Sequence, residues 1–105
     1  MDTNVYLTSC LEKVIAEKGQ DIFLKAGVSP RMRLGGQVVS LPLKALSGEE
    51  IRELADELLD SRQKEMLQKN KNVDFGFSFH EKDCRFRANA FFHAQIPPCI
   101  AFISD

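Results

Sequence analysis

The sequence has few cysteines, almost no net charge and no long apolar run. Its three cysteines, Cys10, Cys84 and Cys99, are odd in number and show no CxxC spacing. No signal peptide precedes them, so we expect a reducing cytoplasm as the location and no insertion into a membrane. Fourteen basic residues against fifteen acidic ones leave a net charge of −1. The overall charge therefore does not recruit nucleic acid or a membrane surface, and such a role would need a local patch.

Catalytic and phosphate-binding motifs are also missing. The sequence contains no G-x-x-x-x-G-K-[ST] phosphate loop, no G-x-G-x-x-G motif after a strand and no G-x-S-x-G elbow. The chain is therefore not expected to bind ATP alone by a recognised motif, or to be an enzyme by itself. His80, Cys84, His93 and Cys99 are metal-ligand types, but Cys84 points into the predicted core and His93 to the opposite face. No metal site is expected.

The first half of the chain predicts a helix and a small β-meander. At 105 residues the chain is expected to be one domain, residues 1–105. In "NVYLTSCLEKVIAEKG" the apolar residues recur at helical spacing, and Gly19 is positioned to end the helix. The segments "DIFLKAG", "PRMRLGG" and "QVVSLPL" read as three strands, with Gly35 and Gly36 in a tight turn between the last two.

The second half predicts two helices and then further strands. Ser47 and Glu50 form a capping box before one helix, and Asp60 and Gln63 have the same spacing before a second, shorter one. The period then changes from 3.6 to 2 in "NVDFGFSFH" and "CRFRANAFF", and "CIAFIS" is apolar enough for a final strand. The predicted fold is α+β, with about three helices and a mainly antiparallel sheet of five to six strands.

The strand "CRFRANAFF" places Arg85 and Arg87 on the face opposite its apolar residues. In one interpretation they are ordinary surface arginines that pair with Asp74 or Glu81 across a hairpin and contribute little energy. In the other, their planar donor forks form an anion-facing surface, with Arg33 nearby on another strand. Spacing alone does not separate these interpretations.

Phenylalanine and arginine on a sheet are also typical of modules that stack single-stranded RNA. Here the phenylalanines fall mostly on the inward-facing register, and the net charge is −1. Nucleic-acid binding is therefore not expected.

Three segments, taken together, have the pattern of a known family. They are "GQDIFLKAGVSPRMRLGGQVVSLPLKALSGEEI", "VDFGFSF" and "CRFRANAFFHAQ", which span nearly the whole chain. The matching positions are Asp21 with its hydrophobic run, the P-x-x-R-x-x-G spacing at Pro30, Arg33 and Gly36, the Leu46-Ser47 helix start, Asp74-Phe75, and R-F-R-x-N from Arg85 to Asn89. This pattern resembles the N-terminal domain of PilT-like ATPases, the twitching-motility motors that retract type IV pili, within the type II/IV secretion ATPase superfamily.

The resemblance implies a PAS-like domain that precedes a RecA-like ATPase domain in a cytoplasmic hexamer of the pilus or secretion machinery. In such motors the N-terminal domain packs on the ATPase domain of a neighbouring subunit, and its arginines approach the bound nucleotide. Residue by residue, the resemblance gives Arg85 and Arg87 the nucleotide-facing role in trans, and gives Arg33, Asp74 and Asn89 a role in subunit or domain packing. It implies no cofactor in this chain, with ATP and Mg bound by the parent protein.

The chain departs from the family pattern at several positions. Ile22-Phe23 follows Asp21 where the family has a histidine after Asp-Leu, and Ile96 and Ile103 stand where the family has arginines. The chain ends at Asp105, where the family continues into its ATPase domain, so we expect an excised domain or a truncated relative that is monomeric or weakly associated. The alternative function is a free-standing PAS-like sensing or protein-interaction module.

Overall fold

The computed structural model describes residues 3–79 and 83–104, and within them the chain forms three helices and six strands. In chain order the elements are α1 (Thr3–Ala16), β1 (Asp21–Lys25), β2 (Arg31–Leu34), β3 (Gln37–Ser40), α2 (Gly48–Leu58), α3 (Ser61–Asn70), β4 (Asn72–Phe79), β5 (Cys84–Phe91) and β6 (Cys99–Ser104). This confirms the predicted element order and the α+β class. Of the helices in the described residues, none combines the length and apolar character that a membrane span requires.

The six strands form one antiparallel sheet in the order β3-β2-β1-β6-β5-β4. The last strand of the chain therefore lies between the first strand and β5. Phe102 of β6 is paired with Ile22 on one side and with Ala88 on the other. This central pairing joins the two halves of the chain into a single sheet.

The tight turn predicted at Gly35 and Gly36 is present between β2 and β3. Both glycines have positive φ, 57° and 83°, the conformation that a two-residue type I′ hairpin requires and that glycine adopts without strain. β3 ends at Ser40 and is therefore shorter than the predicted segment "QVVSLPL". Leu41 still donates its N–H to the carbonyl of Pro30 at 2.8 Å, and Pro42, which has no N–H, follows outside the strand.

The helices cover one side of the sheet, called here the core face; the opposite side is called the open face. The alternation predicted for β4 and β5 is confirmed, since Val73, Phe75, Phe86, Ala88 and Ala90 are buried. The largest side chains with almost no exposed surface are Phe86, Phe102, Leu11, Ile22, Leu24, Ile51, Leu54 and Ile100. Each contributes about 1.5–3 kcal/mol through burial relative to exposure. The core therefore leaves the other side of every strand available for polar residues.

Capping boxes define the starts of α2 and α3, as predicted. Ser47 accepts a hydrogen bond from the Glu50 backbone N–H at 3.1 Å, and Glu50 accepts from the Ser47 N–H at 2.9 Å. Asp60 and Gln63 exchange the equivalent bonds at 2.8 and 3.0 Å. Leu59, between the two helices, has an extended backbone. The predicted break is therefore confirmed, and α3 lies beside β4, the edge strand.

Candidate functional site

The open face presents the polar residues of all six strands in rows that cross the sheet. The strand pairings place Arg33 opposite Asp21, Asp21 opposite Ile103, and Ile103 opposite Arg87. These residues alternate along their strands with buried core residues, so their side chains share the open face. One continuous row therefore runs from β2 to β5.

Positive charge is concentrated on this face, although the whole chain has a net charge of −1. The strand register places five cationic side chains and only two carboxylates there within the described residues. The cations are Lys25, Arg31, Arg33, Arg85 and Arg87, and the carboxylates are Asp21 and Asp74. The open face is thus suited to an anionic or acidic partner.

Arg33 is engaged within the sheet and does not lie beside the other candidate arginines. Its Nε donates to Asp21 Oδ2 at 3.0 Å, and its guanidinium carbon lies 5.7 Å from the centre of the Phe23 ring. Two strands separate it from Arg87, a distance of about 14 Å at ordinary strand spacing. The prediction that Arg33 lies near Arg85 and Arg87 is therefore wrong, because β1 and β6 lie between them.

Arg85 and Arg87, called here the arginine pair, are exposed on β5. Within residues 3–79 and 83–104 neither side chain makes an ion pair or a side-chain hydrogen bond. The interpretation that they pair with Asp74 is wrong in this structure, and the part that invoked Glu81 lies outside the described residues. The guanidinium groups therefore keep their donors available.

Gly76 of β4 lies beside the arginine pair and has no side chain, so the Arg85 guanidinium comes close to the backbone there. Gly76 is the cross-strand partner of Arg87, and a methyl group added at its Cα would lie 3.5 Å from Nη2 of Arg85. Glycine inside a strand often marks a position where another group approaches the backbone closely. Sequence reasoning did not single out Gly76, although it alternates with Phe75 and Phe77 in the strand pattern.

Asp74 is paired with Asn89 instead of with arginine. Asn89 Nδ2 donates to Asp74 Oδ1 at 2.9 Å, with a longer contact of 3.4 Å to the carbonyl of Val73. These bonds fix the amide of the R-F-R-x-N strand against β4. Two of the three residues predicted to serve packing thus contact each other, whereas Arg33 is distant.

A shallow depression lies on the open face next to Arg87. Asp74, Gly76, Arg87, Asn89 and Ile103 contribute to its lining. Ile103 is 43% exposed there. The depression therefore offers an apolar surface with one guanidinium, one amide and one carboxylate in its lining, a combination that suits contact with another surface.

No metal-binding cluster is present among residues 3–79 and 83–104, where no three His, Cys, Asp or Glu side chains meet. The His93 ring stacks on Phe91 with 6.1 Å between ring centres, and His80 lies outside the described residues. Cys10 and Cys99 are free thiols, and burial raises the pKa of Cys99. A raised pKa keeps that thiol protonated and disfavours a nucleophilic role.

Comparisons with known proteins show what the chain is similar to. No protein-family model matches the chain. The chain is 29% identical over 86 residues to the type IV pilus ATPase PilU of Pseudomonas aeruginosa strain PAO1, and the match covers 82% of this chain and 22% of PilU. The chain thus spans less than a quarter of the length of that relative.

Solved structures share the fold. The pilus retraction motor PilT, solved with bound ADP, matches with a TM-score of 0.80 and 27% identity over 90% of this chain and 27% of PilT. The ATPase DotB of Legionella pneumophila matches with a TM-score of 0.80 and 20% identity over 95% of this chain and 28% of DotB. The predicted resemblance and fold are therefore confirmed: the chain is homologous to PilU and matches PilT and DotB in structure, as expected of an N-terminal domain of a PilT-like type IV pilus or secretion ATPase.

Proposed function

We propose that this chain is the N-terminal domain of a cytoplasmic hexameric ATPase that drives pilus retraction or a related secretion step. Its open face packs on the RecA-like ATPase domain of a neighbouring subunit, and the arginine pair points towards the nucleotide held there. Residues 1–105 form this single domain, and ATP hydrolysis takes place in the ATPase domain. ATP and Mg belong to that domain, and this chain supplies protein contacts and positive charge.

The availability of the arginine pair carries this proposal. Arg85 and Arg87 are exposed and make no ion pair within the described residues, whereas Arg33 on the same face is held by Asp21 at 3.0 Å. Arginine presents its donors in a fork that matches phosphate oxygens. Two such side chains without an internal partner are suited to contact phosphate on another subunit.

The surroundings of the pair support the same role. The open face has an excess of cations, and the depression beside Arg87 presents Ile103 as an apolar contact. A partner surface that covers Ile103 excludes water from the guanidinium groups, and electrostatic interactions strengthen when water is excluded. A nucleotide bound by that partner supplies negative charge, and a guanidinium stabilises the charge that develops in phosphoryl transfer.

ATP hydrolysis by an assembled motor that contains this domain tests the proposal. Replacing Arg87 by alanine is expected to lower kcat by roughly 100-fold, the order of loss for one charge-stabilising donor. Arg62→Ala is the matched control, because Arg62 is an exposed arginine on α3 and does not belong to the open face. Arg87→Lys tests whether positive charge alone is sufficient, because lysine keeps the charge but lacks the planar fork of donors.

Two results would contradict the proposal. The first is hydrolysis that is unchanged in the Arg85→Ala/Arg87→Ala double variant of an intact hexamer. The second is a small molecule retained by the purified chain in native mass spectrometry, which would favour the alternative of a PAS-like sensing module. The depression described above lies on the open face and not between the sheet and the helices, so no enclosed ligand is expected there.

A further inference from the structure

The outer edge of β4 is an unpaired strand edge of eight residues, against four in β3 at the other edge of the sheet. Hydrogen-bonded pairs alternate along an antiparallel ladder. The N–H of Phe92 donates to the carbonyl of Lys71 at 2.9 Å. This bond shows which of the opposite pairs of β4 and β5 are hydrogen-bonded, because such pairs occur at every second position. The odd-numbered residues of β4 therefore bond to β5, and residues 72, 74, 76 and 78 direct their N–H and C=O groups outwards.

These outward groups have no partner within the described residues. No backbone hydrogen bond among residues 3–79 and 83–104 involves them. Natural edge strands are usually blocked by lysine, proline, a bulge or a covering segment. β4 reads NVDFGFSF, with Asp74 as its one charged residue and Gly76 at its middle. The edge is therefore open to another strand.

We propose that β4 pairs antiparallel with β4 of a second copy of this chain, about a two-fold axis at Gly76. In this register Gly76 lies opposite Gly76, and Asp74 lies opposite Ser78 in both directions. All three are outward-directed positions, so each pair exchanges both of its N–H···O bonds. The interface is self-complementary, as a two-fold dimer requires, and it joins two six-stranded sheets into one.

Charge complementarity across the axis favours a second copy as the occupant. Arg85 is the cross-strand partner of Ser78, so Asp74 of the second copy lies two strand spacings from Arg85, about 10 Å between Cα atoms. An extended arginine and an aspartate together cover that distance across the small Ser78 side chain. Arg85 already extends over β4, with Nη2 3.5 Å from the position of a Cβ at Gly76, and it moves from Gly76 towards Ser78 to reach Asp74 of the second copy. Asp74 Oδ1 accepts from Asn89, which leaves Oδ2 for Arg85 of the second copy.

Met66 is an exposed apolar side chain on α3, and it lies on the same side of the domain as the outer edge of β4. Lys64 and Gln68 of α3 line a groove with Phe92, which directly follows β5. Met66 is two residues from each of them, about 200° around the helix, so it lies on the opposite flank of α3, beyond the edge of β4. Met66 is 42% exposed. A two-fold axis perpendicular to the sheet places both α3 helices on one side of it, so each Met66 lies on the flank of α3 that faces the second copy.

This inference concerns the edge of the sheet and does not rest on the proposed function. Arg85 cannot pair with Asp74 of a second copy and contact a nucleotide at the same time, so the dimer and the domain packed in a motor are alternative states. Sedimentation velocity of the purified chain across a wide concentration range is the first measurement, with a concentration-dependent dimer as the expected result. Gly76→Pro is expected to weaken the dimer roughly tenfold or more, because it removes the central outward N–H and obstructs the approach of a strand. The fold tolerates this change, since the Gly76 N–H bonds to nothing in the sheet.

Val38→Pro is the matched control at the opposite edge. Leu41 donates its N–H to the carbonyl of Pro30, so the odd-numbered residues of β3 are the ones that bond to β2. The N–H of Val38 therefore points outwards, as that of Gly76 does. This variant is expected to leave the dimer unchanged. A charge exchange provides a second test: Asp74→Arg is expected to abolish the dimer, and Asp74→Arg/Arg85→Asp to restore it. Circular dichroism of each variant checks the fold.

Amide hydrogen exchange followed by NMR locates the interface. The amides of residues 72, 74, 76 and 78 are expected to gain protection as the concentration rises, while those of residues 73, 75 and 77 stay protected throughout. A chain that is monomeric at every concentration would overturn the proposal. So would a dimer that withstands both Gly76→Pro and Asp74→Arg, or outward amides that become protected only when a different protein is added.

Discussion

Phe102→Ala is expected to remove a large part of the stability of the domain. Phe102 lies on β6 in the middle of the sheet and has no exposed surface. Its ring packs edge-on against Phe77, with centres 5.7 Å apart, and against Phe86, with centres 6.5 Å apart. Truncation of a buried phenylalanine costs about 3–5 kcal/mol, against a total of about 5–15 kcal/mol for a domain. The loss of two aromatic contacts favours the upper part of that range.

Urea unfolding followed by circular dichroism measures this free energy, with a lower midpoint and an unchanged slope as the expected result. Ile103→Ala is the matched control, because it truncates the next residue of the same strand on the open face, where Ile103 is 43% exposed. A change within about 0.5 kcal/mol is expected for this control. Equal losses for the two variants would refute the assignment of β6 residues to the two faces of the sheet.

Three further predictions concern the α2 cap and a buried thiol. Ser47→Ala is expected to lower the free energy of unfolding by about 1 kcal/mol, and an unchanged urea midpoint would contradict the capping box. The hydrogen bond from the Ser47 backbone N–H lowers the pKa of Glu50 below 4.5. Ionised Glu50 therefore stabilises the fold above pH 4.5, and the stability of the wild type and Glu50→Gln should converge as the pH falls through the lowered pKa. Burial raises the pKa of Cys10 to about 12, so iodoacetamide at neutral pH should label Cys10 only after unfolding in urea, and rapid labelling of native Cys10, located by peptide mass spectrometry, would contradict its burial.

Local patterns in the sequence predict those features of the fold that depend on neighbouring residues. The capping box of Ser47 and Glu50 predicts the start of α2 because both partners lie within one helical turn. The alternation in "CRFRANAFF" predicts the two faces of β5 because a strand has a fixed period of two. The Gly35-Gly36 pair predicts the β2–β3 turn because both positions need positive φ. None of these features requires knowledge of distant strands.

Strand order was beyond these local patterns, and the candidate site depends on it. The pairing of Asp21 with Ile103 joins opposite ends of the chain, and no periodicity indicates it. The expected proximity of Arg33 to the arginine pair was wrong for this reason. The contact between Asn89 and Asp74 was also missed, because an amide and an arginine on the same strand face compete for the same carboxylate.

The central position of β6 has a consequence for how the domain folds. Until β6 inserts, β1 and β5 each expose a strand edge, and the β1–β3 meander and the β4–β5 hairpin have no strand pairing between them. The meander and the hairpin join only through contacts between residues far apart in the chain. Such contacts slow folding and prolong the lifetime of aggregation-prone intermediates. During synthesis the sheet can therefore close only after residues 99–104 leave the ribosome, so the emerging domain depends on β6 to escape aggregation.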